Sequence, residues 1–82
     1  MPQRCGLALR ASVRLGDGSP VTVTDVTEHI NKRRNALYSE QDIDTAFKKL
    51  VSLGLAKVVG RRVYQPRRGA MLAWKVLDKT RR

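Results

Sequence analysis

Two short runs are written on one plan, and they constrain the fold more than anything else in this chain. Val21-Thr22-Val23-Thr24-Asp25-Val26 offers Thr22 as a helix N-cap, Asp25 three residues on, and Val21 and Val26 placed to close across the cap. Tyr38-Ser39-Glu40-Gln41-Asp42-Ile43 repeats it with Ser39, Asp42, Tyr38 and Ile43. An oxygen-bearing cap followed by an acid at the third helical position is a capping box, here with the shorter Asp in place of Glu or Gln. The two starts predict consecutive helices over about 23–33 and 40–53, the spacing of a helix-turn-helix.

The second predicted helix has a definite inner face. Ile43, Ala46, Phe47, Leu50 and Leu53 recur at helical spacing, and Gln41, Asp44, Thr45, Lys48 and Ser52 fall opposite. Gly54 is placed to end it. Leu55-Ala56-Lys57-Val58-Val59 and Arg62-Val63-Tyr64-Gln65 read as two strands joined by a Gly60-Arg61 turn of type II′. That turn sets Val58 opposite Val63, Val59 opposite Arg62 and Lys57 opposite Tyr64. Pro66 ends the second strand. Met71, Leu72, Trp74, Val76 and Leu77 give a last helix from about Gly69 to Lys79, with residues 79–82 a frayed basic tail. Residues 5–15 fit two patterns. Ala8, Leu9, Ser12, Val13 and Leu15 suit a helix, whereas Cys5, Leu7, Leu9, Ala11, Val13 and Leu15 alternate like a strand that would pair with residues 21–23. We expect the helix, because of the elements that come after it in the chain. Residues 16–20, Gly-Asp-Gly-Ser-Pro, are a loop.

The expected architecture is therefore α+β and mostly helical: helix, short strand, helix, helix, two-stranded hairpin, helix, in one domain over residues 1–82. That order resembles a winged helix-turn-helix domain. The residues that carry the resemblance are Val21-Thr-Val-Thr-Asp-Val26, Leu50-Val-Ser-Leu-Gly-Leu55 and Val63-Tyr-Gln-Pro-Arg-Arg-Gly69, the last looking like the hairpin-to-final-helix junction of MarR-like and PadR-like regulators. The resemblance implies a small transcriptional regulator that binds double-stranded DNA as a homodimer. Helix 40–53 would be the recognition helix and residues 55–68 the basic wing. The stretch 34–38 departs from the short glycine-containing turn of the simplest form, and the wing tip is short.

Charge points the same way. Residues 1–44 balance Arg4, Arg10, Arg14, Lys32, Arg33 and Arg34 against Asp17, Asp25, Glu28, Glu40, Asp42 and Asp44. The whole net charge of +10 therefore lies in residues 45–82, whose only acid is Asp78. Lopsided basic charge makes a surface for polyanions, nucleic acid first among them. Lys57, Arg61, Arg62, Arg67 and Arg68 ring the hairpin with no acid between them, and arginine suits both phosphate and narrow-groove contact. Gln41 and Thr45 are the candidates for base edges, since Gln can pair bidentately with adenine. Lys48 and Lys49 lie further along that helix. Lys48 serves equally as an i,i+4 partner of Asp44. Lys32, Arg33 and Arg34 suit a helix C-terminus electrostatically, and three in a row exceed that need, which leaves one or two for phosphate. Tyr64, half exposed in the expected register, could touch sugar or phosphate. Glu40, Asp42 and Asp44 stand at the start of the very helix that would approach phosphates. Asp42 is explained by capping; Glu40 and Asp44 count against DNA.

Leu9, Val13, Trp74 and Leu77 are the expected homodimer contact, with Trp74 either in the core or the aromatic anchor of that contact. His29, the only histidine, has no triad partner and is expected at the edge of the core. Cys5 is the only cysteine, so no intrachain disulfide, metal box or cofactor is expected, and a single thiol fits a reducing cytoplasm. Nucleotide loops and paired catalytic carboxylates are not found, so we do not expect an enzyme. No apolar run is long enough for a membrane span, and Arg10 and Arg14 break the Leu7–Leu15 stretch, so no signal peptide is expected. Two rivals share the fold: a protein-interaction module for an acidic partner, favoured by the acidic helix start, and an RNA-binding or ribosome-associated domain.

Overall fold

A computed structural model describes residues 3–80. Its elements run α1 (Gln3–Gly16), β1 (Val21–Thr22), α2 (Val23–Arg34), α3 (Glu40–Ser52), β2 (Ala56–Gly60), β3 (Val63–Pro66) and α4 (Ala70–Thr80). The fold is α+β, four helices and one three-stranded antiparallel sheet of order β1-β3-β2. Residues 5–15 belong to a helix. Lys79 and Thr80, expected to fray, are the end of α4, and Arg81 and Arg82 lie outside the described residues.

Both helices start at the expected caps, but only the second forms the full box; Asp25 makes no return bond to Thr22 N. The Thr22 hydroxyl accepts from Asp25 N at 3.1 Å. Ser39 and Asp42 make the reciprocal box, Asp42 N to Ser39 Oγ at 3.1 Å and Ser39 N to Asp42 Oδ2 at 3.3 Å. Each cap satisfies amides that a helix leaves without internal partners. Gly54 follows α3 at φ +77, the left-handed conformation that favours glycine. Between α2 and α3, Asn35 turns left-handed at φ 50, and the Asn31 side chain clamps Tyr38 from both sides, Oδ1 accepting from Tyr38 N and Nδ2 donating to Tyr38 O, each at 2.9 Å. An asparagine clamp thus does the work that a short glycine turn does elsewhere.

The core lies where α1, α2 and α3 meet the inner face of the sheet. Leu9, Val23, Val26, Ile43, Phe47 and Leu50 are fully buried in it. Trp74 carries α4 onto α1, and the ideal Cβ position of Gly6 is 3.1 Å from the indole Nε1, so a glycine permits the close approach.

The hairpin differs from its expected register by one residue. Lys57 pairs with Gln65 and Val58 with Tyr64, an irregularity falls between Val58 and Gly60, and Gly60 pairs with Val63. The turn is Arg61-Arg62, with Arg62 at φ 58. The irregularity after Val58 takes up one residue of β2, which moves the turn from Gly60-Arg61 to Arg61-Arg62, as a bulge does when it sets two residues of one strand against one of the other.

Candidate functional site

The outer face of α3 carries Gln41, Thr45, Lys48, Lys49 and Ser52, all exposed. Gln41 Nε2 reaches Thr45 Oγ1 at 3.4 Å, so the two candidate base-reading side chains lie side by side.

All three acids at the start of α3 are engaged within the molecule. Glu40 Oε1 accepts from Thr24 Oγ1 at 2.8 Å and lies 3.8 Å from Arg62 Nη1. Asp42 caps Ser39 and lies 3.6 Å from Arg4 Nη1, whose guanidinium also sits over the Tyr38 ring. Asp44 is buried, accepts from the Tyr64 hydroxyl at 2.8 Å and lies 3.3 Å from Lys48 Nζ. The expected Asp44–Lys48 pair is therefore present, but Asp44 is not on the solvated face where helical spacing places it. It sits at the seam between α3 and β3 because the buried phenol needs an acceptor there.

Tyr64 requires a correction. It is 4% exposed, not half exposed, and its ring stacks on Phe47 with centroids 4.8 Å apart and planes 4° from parallel. A side chain so enclosed cannot reach sugar or phosphate, so Tyr64 leaves the set of candidate contacts. Its pKa is pushed up to about 12, first by burial, then by the hydrogen bond to and the charge of Asp44, with Arg62 opposing. Tyr64 holds Asp44 and, through it, the α3 start against the sheet.

The cations of the hairpin fall into two groups. Arg61 and Arg62 form the tip. Arg62 O accepts from Val23 N at 3.0 Å and its guanidinium reaches Glu40, which holds the tip against the first residues of α2 and α3. Arg61 is exposed and forms no ion pair among the described residues. Lys57, Arg67 and Arg68 gather at the other end around an open cavity of about 590 Å³ beside the start of α4. Gln65 bridges that cavity to the loop after α1, donating to Gly18 O at 2.6 Å.

The run Lys32-Arg33-Arg34 is split by the helix. Lys32 lies over a groove shared with Asp25 and Glu28, whereas Arg33 and Arg34 line another with Arg10 and Arg14 of α1. Periodicity within α2 could have separated them; the meeting with α1 required the tertiary structure.

Leu9 is core instead of dimer contact, and Trp74 takes the core of its two expected places. Leu9 is fully buried, and Trp74 is buried against Gly6 because α4 needs a large apolar anchor on so small a domain. Leu77 is partly buried against the core. Val13 remains exposed, with Leu72 (71%) and Val76 (60%), two apolar residues of the last helix. His29 is half-buried at the core's edge. The Cys5 thiol is buried, donates toward Ala46 O at 3.7 Å, and has its pKa raised by that burial against the opposing charge of Lys49, the setting of a structural cysteine.

Among the described residues, no three His, Cys, Asp or Glu side chains are grouped to hold a metal ion, and no helix is long and apolar enough to cross a membrane. Set against known protein families, curated proteins and solved structures, the chain matches none.

Proposed function

We propose that this chain is a winged-helix nucleic-acid-binding domain, a small transcriptional regulator that reads duplex DNA with α3 and grips phosphates with the hairpin. The element order with sheet order β1-β3-β2 supports the winged-helix reading. One observation carries the functional one: each carboxylate at the start of α3 is held by an internal partner. The acids that argued against a phosphate-facing helix are spoken for. The face offered outward is Gln41, Thr45, Lys48 and Lys49, and Arg61 is exposed at the hairpin tip. Gln41 and Thr45 take base edges; Lys48, Lys49, Lys57, Arg61, Arg62, Arg67 and Arg68 take phosphates, which position without specifying.

Homodimer formation belongs to the same reading, through Val13, Leu72 and Val76 in place of Leu9 and Trp74. Residues 69–77 contain a single charge, Lys75, so this is the stretch where two copies of a +10 chain repel least. A protein-only partner for α3 loses its main support once its acids are internally paired.

The test separates readout from grip. Gln41→Ala with Thr45→Ala should flatten the preference among duplex sequences by about 1–3 kcal/mol per lost base contact. Arg61→Ala should weaken all sequences alike. If neither substitution alters DNA binding, the reading fails.

A further inference from the structure

Four arginines from two helices converge on one groove. Arg10 and Arg14 project from α1 and Arg33 and Arg34 from α2, around a cavity of about 240 Å³ with an apolar floor of Leu7, Ala11 and Ile30. All four are exposed, none is in an ion pair among the described residues, and no acid lines the groove. The nearest acids on α2, Asp25 and Glu28, line the neighbouring groove with Lys32. Four like charges against a low-dielectric wall repel one another and focus a positive potential into the concavity, an arrangement relieved by an anion.

The cavity is below the roughly 300–1,000 Å³ that drug-sized ligands occupy, so it suits single oxyanion groups rather than an organic effector. Guanidinium forks match phosphate oxygens bidentately. Arg10 and Arg14 stand one helical turn apart, about 6 Å along α1, so the cations form a row, the form that a chain of repeating anions fits. The groove also faces away from the proposed reading face. Helices α1, α2 and α3 pack on one another, so the outer groove between α1 and α2 lies opposite α3. Gln41, Thr45 and Lys48 take no part in its lining.

We propose that Arg10, Arg14, Arg33 and Arg34 form a second phosphate-backbone groove, through which the protein holds a second duplex segment while α3 and the hairpin hold the first. The inference rests on the nucleic-acid reading above and goes beyond it: the protein bridges.

The test immobilises one duplex on beads, adds the full chain, and measures capture of a second, fluorescent duplex alongside affinity for the first. The intact protein captures the second duplex. Arg14→Gln with Arg33→Gln should cut capture about tenfold, the scale of one or two charge-assisted hydrogen bonds. Affinity for the first duplex should change by less than about threefold. Capture that persists in the double variant overturns the proposal, as does an equal loss at both duplexes. Intact protein that binds the first duplex and captures no second overturns the bridging groove and leaves the DNA-binding reading standing. Failure to bind even the first duplex overturns both. Replacing chloride by inorganic phosphate at matched ionic strength identifies the ligand: unchanged capture supports the polymer backbone, and selective loss of capture assigns the groove to free phosphate instead.

Discussion

Tyr64→Phe removes one oxygen atom and should cost this domain a large part of its stability. The ring would keep its stack on Phe47, so the loss isolates the 2.8 Å hydrogen bond to Asp44. Hydrogen bonds to charged groups are worth about 1.5–3 kcal/mol, and the variant leaves a buried carboxylate oxygen without its donor. Lys48, 3.3 Å from the other oxygen, keeps Asp44 from being stranded, which favours the lower part of that range, about 2 kcal/mol. In a domain of this size each kcal/mol moves the thermal midpoint by about 4–8 °C, so the expected fall is about 8–16 °C. The bond also leaves a signature in pH. Because the folded-state pKa is raised from 10 to about 12, the folded protein binds a proton that the unfolded chain releases between those values. Stability is then full below about pH 10 and falls by about 2–3 kcal/mol as pH rises to 12. Urea denaturation of intact protein and variant from pH 7 to 12 measures both effects. A Tyr64→Phe variant within about 0.5 kcal/mol of the intact protein at pH 7 would refute the argument. So would an alkaline decline as steep in the variant as in the intact protein.

Other substitutions test other joints. Ser39→Ala should cost about 1 kcal/mol in urea denaturation, the value of a helix cap, with the slope against denaturant unchanged. Gly6→Ala places a methyl 3.1–3.3 Å from the Trp74 indole, and tryptophan fluorescence should shift to the red as the ring moves toward water. The Cys5 thiol should resist alkylation in the folded protein and react once urea exposes it, since it is 1% exposed. Leu72→Glu with Val76→Glu should render the protein monomeric by sedimentation without loss of helix signal; a monomeric intact protein contradicts the proposed dimer face.

How much of the structure is legible in the sequence depends on how far apart the cooperating residues lie. The two caps, α2 and α3, the glycine that ends α3 and the two hairpin strands are local, and residues within four positions of one another determine them. Helix α1 is favoured over a strand only by its neighbours, because its own residues satisfy both periods. Long-range pairing is out of reach. Nothing local tells Tyr64 to point at Phe47 or to draw Asp44 out of solvent, and nothing local marks the irregularity after Val58 that moves the hairpin register by one residue. The last helix misleads for a related reason. Its apolar residues surround it almost entirely, so spacing cannot say that Trp74 faces inward and Leu72 and Val76 outward. The balanced charge of residues 1–44 conceals the most. Acids at the start of α3 are matched by Thr24, Arg4, Tyr64, Lys48 and Arg62, while Arg10, Arg14, Arg33 and Arg34 meet in one groove without an acid. A sum of charges sees only neutrality there.

Binding of duplex DNA by the face that α3 and the hairpin build is measured by a salt series with a random-sequence duplex pool and sequencing of the bound fraction. Six to ten phosphate contacts predict a loss of affinity of roughly a thousand-fold or more between low and moderate salt, with an enriched two-fold symmetric motif from the dimer. No binding to duplex DNA at low salt would contradict the account.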